Sequence, residues 1–438
     1  MFITTLLLST AALFGADNSA NLEPRFFDTN DVTAGNADVP VIEPWHVVTL
    51  DPGHGGLWSV AGDVDGDGAV EIVSAKNVDD RDVHYTSAAV AHKLDGTVLW
   101  TWGDPTIGRR ELHHDVALQI HDWDADGKNE VVLLTEGFLV ELNGATGEER
   151  RRWPIPEEAT DCLVFCDLSG KGHASDVLVK DRYHRIFAYN HAGELLWEVT
   201  DPGAYRTAHQ PRPMDIDGDG RDEIMAGYAM LNPDGTVRWV FESEKVELRR
   251  GHLDCARILK RGETAAETQI ALTCCGANNV AVVTGTGETL WEVAGDHYES
   301  INIGTVFAGH PGPQILVDVD HRPQGESPLR IFDAEGRLLG QIIGDSSRHH
   351  ALVDWDGDGA QEFAVGHSGA LFGQTGLRVA TFNIPGSATT VFAADMDGDG
   401  VADLMFGKED AVYLFRNTSA QAADPNLPLG TGLNVTLY

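Results

Sequence analysis

Three features of the 438-residue sequence predict an all-β fold of eight radial blades, a β-propeller. First, a segment of the form Asp-x-Asp-x-Asp-Gly-x-x-acid recurs at intervals of about 41 to 59 residues, a spacing that suits four-stranded blades. Second, each copy leads into a short β-rich run and then into a hairpin turn ending in a bulky residue. Third, glycine fills 48 positions, well above its usual share of about 7%. That excess suits many tight turns and argues against a helical protein. Eight units favour eight blades over seven. A linear β-solenoid, the rival architecture, has shorter rungs.

The units follow in order. The first opens at Asp63-Val-Asp-Gly-Asp-Gly-Ala-Val-Glu71 and continues as the strand Glu71-Ile-Val-Ser-Ala. The second opens at Asp122 and runs on from Glu130 as Val-Val-Leu-Leu. The third, Asp167 to Asp176, is a worn copy with Ser169 and Lys171 in acidic slots, and its loop is expected to be empty. The fourth spans Asp215 to Glu223; the fifth and sixth, near 257–270 and 307–316, keep their strands and have lost the acids. The seventh spans Asp354 to Glu362 and the eighth Asp395 to Asp403. Hairpins such as Leu94-Asp-Gly-Thr-Val-Leu-Trp100, Pro233-Asp-Gly-Thr-Val-Arg-Trp239 and His191-Ala-Gly-Glu-Leu-Leu-Trp197 close the outer halves of their units. The segment His46–Leu50 is expected to complete the last blade. The propeller then covers 45–416, with a linker at 17–44 and a tail at 417–438.

Each complete loop puts three carboxylates on alternate residues, a glycine at the sharp turn, and a fourth acid three residues later. The sets are Asp63, Asp65, Asp67 and Glu71; Asp122, Asp124, Asp126 and Glu130; Asp215, Asp217, Asp219 and Glu223; Asp354, Asp356, Asp358 and Glu362; Asp395, Asp397, Asp399 and Asp403. Hard oxygen ligands in this spacing, with a backbone carbonyl between, suit Ca²⁺. A helical EF-hand is excluded, because its twelfth position should be a bidentate Glu. Here that position is Ser74, Leu133, Ala226, Val365 or Phe406. Bare acidic turns without metal would bring mutually repelling carboxylates close together.

These loops resemble the calcium-binding FG-GAP or VCBS-type blades of integrin α-chain propellers and bacterial secreted propellers. A closer similarity is to propellers of the rhamnogalacturonan lyases of polysaccharide lyase family 11. It rests on Tyr205-Arg-Thr-Ala-His-Gln-Pro-Arg-Pro-Met-Asp-Ile-Asp-Gly-Asp-Gly-Arg-Asp-Glu223 and on Gly251-His-Leu-Asp254 opening the next unit. The resemblance implies a calcium-stabilised lyase that cleaves an acidic, uronate-containing polysaccharide, such as rhamnogalacturonan or ulvan, by β-elimination. FG-GAP and VCBS propellers also serve in adhesion and carbohydrate binding without catalysis, which is the alternative expectation.

The chain has 31 Lys+Arg against 68 Asp+Glu, a net charge of −37. A nucleic-acid partner is not expected, since no basic face offsets that field. The run Ile3–Phe14 followed by Gly15 and Ala16 reads as a secretory signal ending at about 16 to 20, so export to the periplasm or medium is expected. No later stretch is long and apolar enough for a membrane helix, and a monomer is expected. The five cysteines are an odd number in a large chain, which argues against a disulfide framework. Cys162 and Cys166 would stand about 13 Å apart on a strand, beyond bridging distance. Cys255 could meet Cys274 or Cys275 across strands, but buried thiols are the simpler reading.

Histidines cluster where the innermost strands begin. His54, His113, His114, His209, His252, His349 and His350 all precede or open such a strand, with Tyr205, Arg206, Arg109, Arg110, Arg249, Arg250 and Arg348 on the same stretches. The fold would gather them around one mouth of the central channel. Arginine can hold a uronate carboxylate, and His or Tyr can move a proton near neutral pH. Given the lyase resemblance, Arg206 is expected to take the carboxylate, with His209 and Tyr205 as base and acid, supported by His114 and His252. The plainer role for any one inner-strand histidine is hydrogen-bonded structure. Serine-hydrolase and phosphate-binding motifs are absent: there is no Gly-x-Ser-x-Gly elbow or Walker loop.

Overall fold

Each acidic segment forms the turn between the innermost strand of a sheet and the strand beside it. The computed structural model describes residues 25–28, 39–112, 115–307, 309–321, 327–343 and 349–436. The expected export signal, His113, His114 and Arg348 lie outside the described residues. Among the described residues, eight sheets form eight blades, six of four strands and two of five. The inner strands are, in order, Trp58–Gly62, Leu118–His121, Cys162–Cys166, Thr207–Met214, His252–Lys260, His297–Gly304, His350–Val353 and Thr390–Ala394. They are mostly buried and rich in β-branched, aromatic and small residues, as strands packed on both faces require.

The ring closes as the sequence predicts. His46–Thr49 is the outer strand of blade 8 and pairs antiparallel with Ala411–Phe415, from His46 opposite Leu414 to Thr49 opposite Ala411. Two further strands come from the stretch read as a linker. Arg25–Asp28 pairs parallel with the outer strand of blade 6, and Val41–Ile42 with that of blade 7. They cover sheet edges that would otherwise stand open.

In blades 1 to 5 a tryptophan of the outer strand has a structural role. Trp100 of blade 1 donates its Nε1–H to the carbonyl of Gly144 in blade 2, at 2.6 Å. The relay continues with Trp153 to Ala192 (3.1 Å), Trp197 to Pro233 (3.0 Å), Trp239 to Gly285 (2.9 Å) and Trp291 to Ala334 (2.8 Å). Each indole therefore covers the hairpin of the following blade. Gly193 in that hairpin has φ 77°, and a Cβ there would meet the Trp153 ring at 1.8 Å. Only glycine fits. Five such latches tie blades 1 to 6, each combining aromatic burial with a satisfied N–H.

The C-terminal stretch enters the axial channel from the acidic-loop side. Gly430 bonds Asp395 of blade 8, and Thr431 bonds Ala61 of blade 1. Asn434 accepts from and donates to the backbone of Phe165 in blade 3, and its own N–H reaches Gln119 of blade 2. Arg212 of blade 4 donates to its carbonyl. Residues described as a tail from sequence thus stitch successive inner strands together.

All five cysteines are buried and none forms a disulfide. Cys255 lies opposite Thr273, not opposite a cysteine.

Candidate active site

Inner strands run from one mouth of the channel toward the acidic loops, so their starts and the hairpins between the second and third strands meet at the opposite mouth. There, blade 4 presents His209 and blade 5 presents His252 and Asp254. Neither strand is regular at these points. The pairing of blade 4 shifts between Thr207 and Arg212, and that of blade 5 between Leu253 and Cys255. Such bulges re-aim side chains, and here they turn His209 and Asp254 toward a shared space.

The two imidazole rings lie 4.5 Å apart, centre to centre. His209 Nδ1 is 2.7 Å from Asp115 Oδ2, and His209 Nε2 is 3.8 Å from Asp254 Oδ1. His252 Nε2 is 3.0 Å from the same Asp254 oxygen. Apart from this ion-pair contact, both ring nitrogens of His252 and Asp254 Oδ1 are buried without a well-aligned hydrogen-bond partner among the described residues. Buried polar atoms left so are costly, and together they form a ready cation cradle. The ligand atoms of His209, His252 and Asp254 all lie within 4.8 Å of one another. Asp115 fixes the outer nitrogen of His209, as carboxylates do behind metal-bound histidines.

Charges behind the cradle are paired. Asp161, wholly buried, is 3.1 Å from Lys180 Nζ, 3.2 Å from Arg182 Nη1 and 2.8 Å from His84 Nδ1. Burial would raise the Asp161 pKa, but Lys180, His84 and Arg182 hold it well below the usual carboxylate range. Burial likewise opposes charge on His209, yet the adjacent Asp115 carboxylate raises its pKa. His252 goes the other way: burial lowers its pKa against the pull of Asp254.

An aromatic residue that sequence reasoning did not select completes the mouth. The Tyr183 ring packs 4.9 Å from His252 and 5.6 Å from His209. The guanidinium groups of Arg182 and Arg206 each lie 5.3 Å from it. Arg206 is exposed and so available to a ligand. Tyr205 is placed elsewhere, edge-on to Tyr228 at 5.4 Å with Arg249 at 5.3 Å from its ring. His209, His252 and Arg206 are therefore brought together, Tyr205 is not, and His114 lies outside the described residues. His54 caps its own turn through Asp51. His349 and His350 line a cavity of about 350 Å³ farther along the channel, with Arg212, Arg257 and Asn434.

The acidic loops share one geometry. In blade 4, Asp215 accepts from the N–H groups of Gly218 (2.7 Å) and Gly220 (3.1 Å), and Glu223 from that of Ile216 (3.2 Å). Basic side chains lean into four of the five. Lys93 meets Asp65 and Asp67, Arg150 meets Asp124 and Glu130, Arg238 meets Asp217 and Glu223, and Arg416 meets Asp397. The Asp354 loop has no such partner among the described residues; Gln374 donates to Asp358 instead. Burial, reinforced by Asp356, Asp358 and Asp354, pushes Glu362 up to about 7. A divalent cation would relieve that crowding, and Glu71 Oε1 and Asp217 Oδ1 are buried acceptors without a hydrogen-bond partner among the described residues. The donor set fits Ca²⁺.

No protein-family model matches the chain. It is 25% identical to the rhamnogalacturonan endolyase YesW of Bacillus subtilis (strain 168), across 85% of this chain and 70% of that protein. It is also 25% identical to the exolyase YesX of the same organism, across 74% of this chain and 62% of that one. The chain is related to rhamnogalacturonan lyases. It spans less than two thirds of the exolyase's length. Among solved structures, YesW superposes with a TM-score of 0.63 at 20% identity, covering 88% of this chain and 77% of that one. The Bacillus licheniformis rhamnogalacturonan lyase PL11 gives 0.61 at 19%, covering 87% and 76%. The V. cholerae biofilm matrix protein Bap1 gives 0.57 at 12%, covering 91% and 93%. These superpositions bear on the fold, an eight-bladed all-β propeller. No helix of the described residues is long and apolar enough to cross a membrane.

Proposed function

We propose that the chain is an exported polysaccharide lyase that cleaves a uronate-containing polymer of the rhamnogalacturonan class by β-elimination. The observation that carries this reading is the unsatisfied cradle of His209, His252 and Asp254 beneath Tyr183 and Arg206, at the mouth of a propeller related to rhamnogalacturonan lyases. Elimination breaks C5–H and C4–O4 of the uronate and forms a C4=C5 double bond. It requires neutralisation of the carboxylate, a base for the C5 proton, and a proton for the departing oxygen. A divalent cation held by the cradle would supply the first of these as a Lewis acid.

Arg206, exposed at the rim, pairs with the same carboxylate and sets the sugar's orientation. Arg249 and Arg250, also exposed, make the rim locally basic despite the net −37. Tyr183 keeps its proton at neutral pH, because burial raises its pKa against the opposing Arg182 charge; it donates to the departing oxygen. With both imidazoles turned to a cation, His209 acts as a ligand, and a hydroxide ion from solvent at the open mouth takes the C5 proton and leaves as water. Ca²⁺ in the acidic loops stabilises the blades that hold this mouth. The test is incubation with polymeric rhamnogalacturonan and divalent cation, followed by ultraviolet absorbance of unsaturated uronide ends. Binding without any such absorbance would instead favour a glycan-binding propeller.

A further inference from the structure

A second cluster lies one blade farther round the rim and has a different chemistry. Cys275 ends the second strand of blade 5, directly opposite His252 in the pairing register. His297 opens the inner strand of blade 6, and Glu299 follows where that strand's pairing shifts, between Tyr298 and Ile301. His297 Nε2 stands 3.0 Å from Cys275 Sγ and 3.0 Å from Glu299 Oε1. The three ligand atoms lie within 4.8 Å of one another. His321, at the end of the neighbouring strand, places Nδ1 3.6 Å from Glu299 Oε1 and its ring 4.5 Å from that of His297. Its φ is 55°, in the left-handed region.

We infer that Cys275, His297 and Glu299 form a binding site for a borderline-soft divalent metal of the zinc class, with His321 at its open side. The donor set decides the class. A thiolate and an imidazole favour zinc or a similar transition metal, whereas the all-oxygen loops favour calcium. One sulfur, one nitrogen and one carboxylate oxygen leave a fourth tetrahedral position for His321 or water. Separations of 3.0 Å are a few tenths of an ångström tighter than ligand pairs around a metal with bonds of about 2.0 to 2.3 Å, so binding needs only a small opening of the cluster. Cys275 and Glu299 are buried, while His297 keeps 19% of its side chain exposed and His321 66%. The metal would enter from the mouth. The thiol proton is released on binding, as thiolate ligation requires.

Cobalt titration of the full chain, after dialysis against chelator, tests this. Thiolate-to-cobalt charge transfer reports sulfur ligation, so Co²⁺ in the cradle or the acidic loops is silent in that band. The expected result is a band that saturates at a single equivalent and is displaced by Zn²⁺. It should vanish in Cys275→Ser, weaken strongly in His297→Ala, and persist in Cys255→Ser. Absence of the band in wild-type protein, or its survival in Cys275→Ser, overturns the assignment. Should Cys275→Ser fail to fold, an undiminished band in His297→Ala overturns it equally. The outcome does not depend on whether the chain is a lyase.

Discussion

His209 Nδ1 lies 2.7 Å from Asp115 Oδ2, which turns the opposite ring nitrogen toward His252 and Asp254. Asp115 precedes the inner strand of blade 2, while His209 belongs to blade 4, so this bond spans the channel mouth and fixes a tautomer. Asp115→Asn should therefore weaken divalent-cation binding at the mouth and turnover together, by about 10- to 100-fold, as loss of an outer-shell carboxylate does. Isothermal titration and initial rates would check it. Unchanged affinity would show that Asp115 has only a packing role.

Tyr183→Phe removes one hydroxyl and keeps the ring between the two histidines and the two arginines. Lyase kcat should fall by about 10²- to 10⁴-fold, the usual worth of a positioned proton donor, with the melting temperature nearly unchanged. Arg206→Ala should chiefly raise KM, because its contact with the carboxylate exists in the ground state. A KM unchanged by Arg206→Ala would remove Arg206 from substrate binding.

Much of this was legible in the sequence, and the reasons differ between parts. The acidic loops repeat with a period, so the blade number, the inner strands of the six blades that keep a loop or a worn copy of it, and the closing segment near His46–Leu50 were legible; blades 5 and 6, which lack the acids, begin earlier than their strand pattern suggests. The hairpins ending in tryptophan were legible as turns; their role as latches was not, because Trp153 meets Gly193 only once adjacent blades are stacked. At the mouth, His209, His252 and Arg206 stood out by type and position. Tyr183 and Asp115 did not, since one sits in the hairpin between the second and third strands of blade 3 and the other belongs to a distant blade. Asp254 was visible within Gly251-His-Leu-Asp254, but alternation along a regular strand does not foresee the bulge that aims it. Tyr205 was selected for lying on the stretch that leads to His209, and nearness in sequence along a bulged strand is not preserved in space.

Calcium should raise the melting temperature and excess chelator should lower it, since an ion that binds only the folded chain adds about 2.7 kcal/mol at a hundredfold excess over Kd. The loops should not contribute equally. Arg238 already neutralises Asp217 and Glu223, whereas the Asp354 loop has no basic partner among the described residues. Asp356→Asn should therefore reduce the calcium-dependent rise more than Asp217→Asn. Equal melting temperatures with and without calcium would remove the metal from all five loops.

Acid should act partly through Asp161. Its folded pKa is depressed, so its contribution is present above the unfolded value of about 3.9 and is lost as pH falls below it toward the folded value. At neutral pH, Asp161→Asn leaves Lys180 buried without its charge partner and should cost about 3–5 kcal/mol. Urea midpoints of wild type and variant should differ widely at pH 6 and converge below pH 4. A gap that persists unchanged at low pH would show that the charge of Asp161 is not what matters.

The central claim is that the mouth formed by His209, His252, Asp254, Tyr183 and Arg206 performs β-elimination on a uronate polymer. The most direct measurement is the rate of unsaturated-uronide absorbance from polymeric rhamnogalacturonan in the presence of divalent cation, with wild type and His252→Ala compared under the same conditions. The account predicts a steady rise with wild type, abolished by chelator and lost in His252→Ala while that variant keeps its melting temperature within a few degrees. No rise with wild type, or a full rate in folded His252→Ala, would contradict it.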